Sequence, residues 1–502
     1  MAHRIAVGLA VLAAAVPALA GSIGGSTITV STTTDELTLN GQCSLREAIT
    51  NANNDNQSGS ADCVAGSGAD TIEVPAGSYD LAIAGTGDDQ NASGDLDILA
   101  DLVLSGAGME TTVIDGQNLD RVFHVKSGSA TFRRLTVQGG SSSDGGTPSQ
   151  VAAGILGTSS GVLVLDRTRV AYNTTTATGA FSFGAGGVLA NDLTLRQSQI
   201  DHNTATFLRA SGAFAGGVAC DGTTCDISDT VISNNTALTT FTGTGPGPLM
   251  TGGLTFCSLH LTRSRIHANE ATGSTSAAGG MRNSCGSTTI TMSHTLVDGN
   301  SATVTADMSI VSGGLGNGGG DVTFHLSNMT FAGNIAHTGS VQRTVAAGGI
   351  TSGASATWNL RQSTFSGNRT DGSAANTFAI NGAGVYFTVA NTLFDGDACS
   401  GAVTSLGGNL EGPDATCGLS QSNDQSAVAD RGVEALADNG GGTLTLALKA
   451  SSPAIDRGDD SQCEALDQRG VPRPFDGDGD GTATCDVGAY ELFDRVFADG
   501  FE

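Results

Sequence analysis

The segment Gly348-Gly349-Ile350-Thr351-Ser352-Gly353-Ala354-Ser355-Ala356-Thr357-Trp358-Asn359-Leu360-Arg361-Gln362-Ser363-Thr364-Phe365-Ser366-Gly367-Asn368 decides the fold. It opens on a glycine pair, crosses a short alternating stretch at Trp358-x-Leu360, and closes on Phe365-x-x-Asn368. The same plan recurs from about Val151 to Cys399. The closing asparagines are Asn173, Asn203, Asn235, Asn269, Asn300, Asn334 and Asn368, with gaps of 30, 32, 34, 31, 34 and 34 residues. An eighth copy ends at Asp397, where aspartate replaces asparagine. A period in this range marks a stacked repeat architecture.

Aligned on the asparagine, the copies form columns. Three residues before it stand Val170, Ile200, Ile232, Ile266, Val297, Phe331 and Phe365. Eight before stand Leu165, Leu195, Ile227, Leu261, Met292, Leu326 and Leu360, and ten before stand Leu163, Leu193, Cys225, Leu259, Ile290, Phe324 and Trp358. Five before, the column is small and mostly hydroxylic (Thr168, Ser198, Thr230, Ser264, Thr295, Met329, Ser363). Six before, it is polar and variable: Arg167, Gln197, Asp229, Arg263, His294, Asn328 and Gln362. The apolar pair two residues apart has the period of a strand. Like residues at one-coil spacing predict coils stacked in parallel and in register, an all-β parallel β-helix. The asparagine is expected at a sharp corner in the left-handed conformation, its amide bonded from coil to coil. Glycine pairs such as Gly186-Gly187, Gly252-Gly253 and Gly279-Gly280 are expected to mark the other corner. Between asparagine and glycine pair lie segments of variable length, Thr174 to Ala185 and Ala237 to Thr251 among them, expected as loops on one side. They hold Phe181, Phe183, Phe207, Phe214, Phe241 and Phe378, which either fill the interior or face a ligand.

Composition agrees. Glycine contributes 73 of 502 residues and aromatics only 5%, which suits narrow coils and tight turns. Net charge is −27 and only Lys126 and Lys449 are lysines, which excludes nucleic acid and anionic membrane as partners on electrostatic grounds. Residues 1–20 read as a secretory signal: Arg4, an apolar run from Ile5 to Val16, then Ala18-Leu19-Ala20. No later stretch has the length and apolarity of a transmembrane helix. Ten cysteines in an exported chain predict disulfides. Cys43/Cys63, Cys399/Cys417 and Cys463/Cys485 are near neighbours, whereas Cys220, Cys225, Cys257 and Cys285 allow three connectivities. No paired C-x₂-C set with histidines suggests zinc.

Residues 21–150 are expected to form an N-terminal cap and the first coils. Ser44 and Glu47 form a capping box, so a helix is predicted to start at Leu45 and to end near Asn53-Asn54. Leu45, Ala48, Ile49 and Ala52 share one face, which covers the open end of the solenoid. The stretch Cys43-Ser-Leu-Arg-Glu-Ala-Ile-Thr-Asn-Ala-Asn53 resembles the bacterial CSLREA domain, a module of exported proteins. The repeats, with Phe331-x-x-Asn334 and Phe365-x-x-Asn368, resemble those of polymorphic outer-membrane proteins and of right-handed, pectin-lyase-like β-helix surface proteins, which implies a right-handed parallel β-helix and a surface-exposed, adhesive relative. Residues 400–492 form a disulfide-linked C-terminal module followed by a short acidic tail, 493–502. Ser452-Pro453-Ala454-Ile455-Asp456, Asp467-Gln468-Arg469-Gly470, Arg473-Pro474 and Cys485-Asp486-Val487-Gly488-Ala489-Tyr490-Glu491 resemble the choice-of-anchor β-helix family, which implies a secreted or cell-surface protein.

Within this module, Asp476-Gly477-Asp478-Gly479-Asp480-Gly481 matches the start of a calcium loop. Position twelve is Val487 and the nearest acid is Asp486, so Asp476, Asp478, Asp480 and Asp486 are the candidate ligands of a structural Ca²⁺. The chain lacks the N-T-D, G-H-G and R-I-K motifs of galacturonan hydrolases, and its eight histidines show no metal spacing. Asp88-Asp89 and Asp459-Asp460 lie outside the array, and Arg167, Arg263 and Arg361 read as solvated face residues. No catalytic residue is assigned. The expectation is an extracellular, non-enzymatic β-helix presenting a face to a polysaccharide or a host or cell-surface ligand. The alternatives are a polysaccharide lyase or hydrolase with an unrecognised site, and a passive structural protein.

Overall fold

The computed structural model describes residues 24–493 except 144–149, 179–181, 209–211, 241–246, 287, 306–309, 339–344, 354, 372–377, 382–385 and 401–402. The expected export signal and residues 494–502 of the tail lie outside the described residues, as do Phe181 and Phe241. The chain is a right-handed parallel β-helix, the hand that parallel crossovers adopt because strands twist to the right. The coil beginning at Leu254 shows the plan. Strands Leu254–Phe256 and Leu259–Thr262 belong to sheet 1, Arg265–His267 to sheet 2, Glu270–Gly273 to sheet 3 and Ser276–Ala278 to sheet 4. Each strand pairs in parallel with its counterpart one coil on, so Ile200, Ile232, Ile266, Val297, Phe331, Phe365 and Phe394 lie in one row.

Sheets 1 and 2 enclose the main lumen, and the three apolar columns fill it. Toward the C-terminal end the filling becomes aromatic. Phe331, Phe365 and Phe394 stack at 4.9 and 5.3 Å, and Phe324 lies face to face with Trp358 at 3.7 Å. A coil spacing of about 4.8 Å puts like rings in contact, so each coil contributes packing to its neighbour. The hydroxyl column holds the corner between sheets 1 and 2. Ser198 Oγ accepts from Thr168 N (3.1 Å), and Ser264 Oγ from Thr230 N (3.1 Å). The residue just before each position of this column carries the left-handed turn: Arg167, Gln197, Asp229, Arg263, His294, Asn328 and Gln362 all have φ between 43° and 51°.

The asparagine ladder is continuous. Asn173, Asn203, Asn235, Asn269, Asn300, Asn334 and Asn368 are fully buried; each Nδ2 of the first six donates to the next Oδ1 at 2.8–3.0 Å, and Asn368 Nδ2 donates to Asp397 Oδ2 (2.6 Å). Each backbone N–H donates to the same oxygen, as from Asn203 N to Asn235 Oδ1 (3.0 Å). The asparagine itself is not the left-handed residue. That conformation belongs to its predecessor: Tyr172, His202, Asn234, Ala268, Gly299, Gly333 and Gly367 have φ from 49° to 68°. The asparagine side chain must point inward to bond its neighbours, so the turn is made one residue earlier.

The glycine pair is not a separate corner either. A Cβ on Gly253 would stand 2.5 Å from Gly280 O and 3.0 Å from Asn269 Nδ2. A Cβ on Gly252 would stand 2.6 Å from Glu270 N. The chain leaves the lumen at the asparagine and re-enters at the glycine pair, and the two touch. The segments expected as loops between them are strands of sheets 3 and 4, which pack on each other as a thin side arm. Its core is small: Ala205, Ala237, Ala271, Ala302 and Ala336 face residues such as Phe214, Met250 and Val311. Phe207 and Phe214 are buried here and stack at 4.6 Å, so they fill the arm, whereas Phe183 is exposed.

The helix Leu45–Asn54 starts at the capping box, with Ser44 accepting from Glu47 N and Glu47 accepting from Ser44 N. Leu45, Ala48, Ile49 and Ala52 join the main core and close its end. Disulfides join Cys43–Cys63, Cys257–Cys285, Cys399–Cys417 and Cys463–Cys485, and Cys220 and Cys225 are buried thiols. The C-terminal module folds back onto the outer face of sheet 2. Thr330 Oγ1 donates to Gln468 Oε1 (2.6 Å), and Ala489 N donates to Thr364 Oγ1 (2.9 Å). Four residues before the ladder position, the outward column changes character at the point of docking. Arg169, Gln199, Val231 and Arg265 give way to the buried Leu296, Thr330, Thr364 and Leu393.

Two measurements test the ladder. Asn269→Ala removes the acceptor shared by the N–H and Nδ2 of Asn235 and a donor to the carbonyl of Ile232, each lost bond to a buried group costing about 1–3 kcal/mol, so equilibrium unfolding should show a loss on the order of 3–5 kcal/mol. Asn234→Gly, at φ 54°, should be nearly neutral. At the ladder's end, burial pushes the Asp397 carboxyl up to about 8, outweighing the hydrogen bonds from Asn368 that favour its charged form. The unfolded carboxyl titrates near 4, so the fold holds the extra proton between these values and stability falls as pH rises through them. Asp397→Asn should be more stable than the parent at pH 8.5, and the gap should close toward pH 4 in thermal melts.

Candidate functional site

The module covers sheet 2 from Leu296 onward and leaves the earlier coils open. On that open face the side chains two residues before the ladder and those four before it point outward together, as strand alternation requires. Arg169 pairs with Asp201 on the next coil through two bonds, 2.8 Å from Nε and 2.6 Å from Nη2. His202 Nδ1 lies 2.7 Å from the same carboxylate. Against the cost of burial, Arg169 and His202 hold the Asp201 carboxyl below its usual value. Tyr172, 53% exposed, stacks on the His202 ring at 5.0 Å, and the Arg169 guanidinium sits 5.4 Å from its centre. The left-handed turn before each ladder asparagine is what lifts Tyr172 and His202 onto the rim of the face.

A second set repeats this chemistry. Arg265 bonds Asp298 at 2.8 and 2.6 Å, and His267 Nδ1 lies 2.8 Å from Asp298 Oδ2. Burial is again outweighed by Arg265 and His267, which keep the Asp298 carboxyl low. Beside Asp298 a groove of about 500 Å³ runs between sheet 2 and the hairpin formed by Val433–Ala437 and Thr445–Leu448. Asp395, on its floor, is held by Arg431 at 2.9 Å and by Ser366 at 2.8 Å. The face thus offers planar, pre-oriented hydrogen-bonding groups, an exposed aromatic ring and an adjoining groove. The repeat columns concealed it, because the outward positions vary from coil to coil and pair across coils.

The four acids expected to bind Ca²⁺ are placed differently from one another. Asp476 and Asp478 come together with Asp456, one carboxylate oxygen of each lying within 4.8 Å of the others. Asp456 was not anticipated. It is 20 residues upstream of Asp476, and its Oδ2 accepts from Gly477 N (3.0 Å) and Asp478 N (2.8 Å). Asp480 caps its own turn through Thr482 N (2.8 Å). Asp486 is buried and accepts from Asp456 N (2.8 Å) and Leu492 N (2.5 Å), so it props Asp456. Burial, reinforced by Glu491, pushes its carboxyl up to about 8. Of the arginines on the array, Arg167 pairs with Asp166 and Arg263 with Asp229, both at the exposed surface.

No known protein family matches the sequence, and no curated protein is similar to it. Among solved structures, the pectate lyase Pel9A is 12% identical, covering 84% of this chain and 88% of its own, with a TM-score of 0.34. The A-module of the Azotobacter vinelandii mannuronan C-5 epimerase AlgE6 is 16% identical, covering 72% of this chain and 90% of its own, with a TM-score of 0.30. At these values neither likeness carries an argument about the site. Among the described residues, no helix is long and apolar enough to cross a membrane.

Proposed function

We propose that the protein is an extracellular β-helix that binds a neutral polysaccharide or surface glycan along the open face of sheet 2, without turning it over. The observation that carries this reading is Tyr172, exposed on the rim and backed by His202, beside the bidentate Arg169–Asp201 pair. An aromatic ring supplies apolar area for a sugar ring, and the fixed polar groups beside it supply directional hydrogen bonds. The net charge of −27 argues for a neutral glycan, because a polyuronate would be repelled. Four disulfides favour an oxidising compartment and agree with the export signal expected at the N-terminus. Co-sedimentation with a panel of neutral and acidic polysaccharides tests it, with reducing ends and unsaturated products followed in parallel. Wild-type protein should be retained by a neutral polymer, and Tyr172→Ala should weaken retention about tenfold or more, the effect of losing about 1.4 kcal/mol. Retention unchanged by Tyr172→Ala would remove the site, and product formation would replace binding with catalysis.

The Asp456–Asp476–Asp478 group supports a structural Ca²⁺ in the C-terminal module, since three carboxylates this close repel unless a cation joins them. Millimolar Ca²⁺ should raise the melting temperature of the protein. The rise should vanish in Asp478→Ala and in Asp456→Ala; a rise that survives both variants assigns the ion elsewhere.

A further inference from the structure

At the opposite end of the solenoid, a second constellation stands apart from both sites. Asp97 lies in the strand Leu96–Ile98 and His124 in the strand Phe123–Val125, and the two are direct partners in the parallel register. Their side chains therefore leave the same face of sheet 1 one above the other. His124 Nδ1 is 3.7 Å from Asp97 Oδ1. That is too long for a hydrogen bond and close to the separation of about 3.4 Å between two ligands of a tetrahedral ion with bonds near 2.0–2.1 Å. Asp97 is fully buried. Its Oδ2 accepts from Asn91 N (3.1 Å), whereas its Oδ1, the atom facing the imidazole, has no hydrogen-bond partner. A buried carboxylate oxygen left in this state is costly, and it points to a missing partner. His124 Nε2 lies 3.2 Å from Thr158 Oγ1, the kind of outer contact that fixes the ring of a metal-bound histidine. Asp89 completes the group from the preceding loop, with one oxygen within 4.8 Å of the other two donor atoms and its side chain half exposed.

The loop that brings Asp89 and Asp97 together is built by the capping helix. Arg46 donates to Asp95 O (3.1 Å) and Gly94 O (2.9 Å), and Asn91 Nδ2 donates back to Arg46 O (2.8 Å). Asn53 donates to Asp97 O (2.7 Å) and accepts from Leu99 N (2.8 Å). The helix therefore shapes this loop in addition to closing the core.

We propose that Asp89, Asp97 and His124 bind a divalent transition-metal ion of the Zn²⁺ class, with an open fourth position toward solvent. Two carboxylates and an imidazole suit Zn²⁺ and its first-row neighbours, whereas Ca²⁺ takes an all-oxygen shell. Lys126 Nζ, 2.5 Å from Asp89 Oδ1, now supplies the cation at the mouth of the site and is the group an entering ion displaces. Asp88 adds a further negative charge beside Asp97, and Arg121 a positive one beside His124.

The test is calorimetric titration of the chelator-treated, full-length protein with Zn²⁺, with Co²⁺ as the spectroscopic probe. One equivalent should bind, and Co²⁺ should give the visible d–d bands of a four-coordinate ion without thiolate charge transfer, which separates this site from the buried Cys220 and Cys225 thiols. His124→Gln and Asp97→Asn should weaken binding at least a hundredfold, Lys126→Met should tighten it several-fold, and Asp478→Ala should leave it unchanged. Zn²⁺ should also protect His124 of the wild-type protein from diethyl pyrocarbonate, a readout that stands if a variant fails to fold. No binding by the wild type, or binding untouched by His124→Gln in a folded variant, overturns the proposal.

Discussion

The structure depends on one contact: a buried asparagine amide pressed against the backbone of a glycine pair. Each amide accepts from the backbone N–H and the Nδ2 of the asparagine one coil back, and donates to a carbonyl of that preceding coil and to the next amide in the row. Leaving any of these groups unpaired inside the protein would be costly, so the row is cooperative by construction. The glycines are required for a different reason. The returning chain passes so close to the ladder that a single methyl group would collide with backbone. The result is a neck that keeps the lumen's cross-section constant while the arm beyond it varies in length. Copies of 30 to 34 residues stack in one register for this reason.

The same register governs the surface. Because strands pair one coil apart, an outward side chain meets the residue one coil on, and Arg169–Asp201 and Arg265–Asp298 are both such pairs. Where the outward column turns apolar or hydroxylic, the C-terminal module docks and buries it. One face is thereby divided into a covered half that joins the module to the solenoid and an open half that carries the glycan-binding reading. The groove beside the hairpin lies at the boundary between the two.

The ends of a β-helix expose edges and core, and this chain answers each end with a different device. At the N-terminal end a short helix supplies apolar side chains to the core and polar ones, Arg46 and Asn53, to the neighbouring loop. At the C-terminal end Val403, the Cys399–Cys417 disulfide and Leu419 join the end of the core, while the module packs Ile455 and Val487 over Leu393 and Leu410 on the outer face of sheet 2. Both devices bring acidic groups together from separate segments, Asp89 with Asp97 at one end and Asp456 with Asp476 at the other.

The sequence by itself determined the period, the register, the apolar columns, the capping helix to its first residue and the coil-to-coil asparagine bonding. These follow from local patterns that repeat, and repetition makes each column legible. It also determined three disulfides between near neighbours, and it left the fourth open because spacing alone could not choose Cys257–Cys285 over its rivals. Only the tertiary structure decided that the glycine pair touches the asparagine, that the variable segments are strands, and that the left-handed residue precedes the asparagine. It alone joined Asp456 to the Asp476 loop and His124 to Asp97. Asp456 and Asp476 lie on segments whose separation carries no period, and Asp97 and His124 lie on coils that precede the asparagine array, so no column in the sequence could display them.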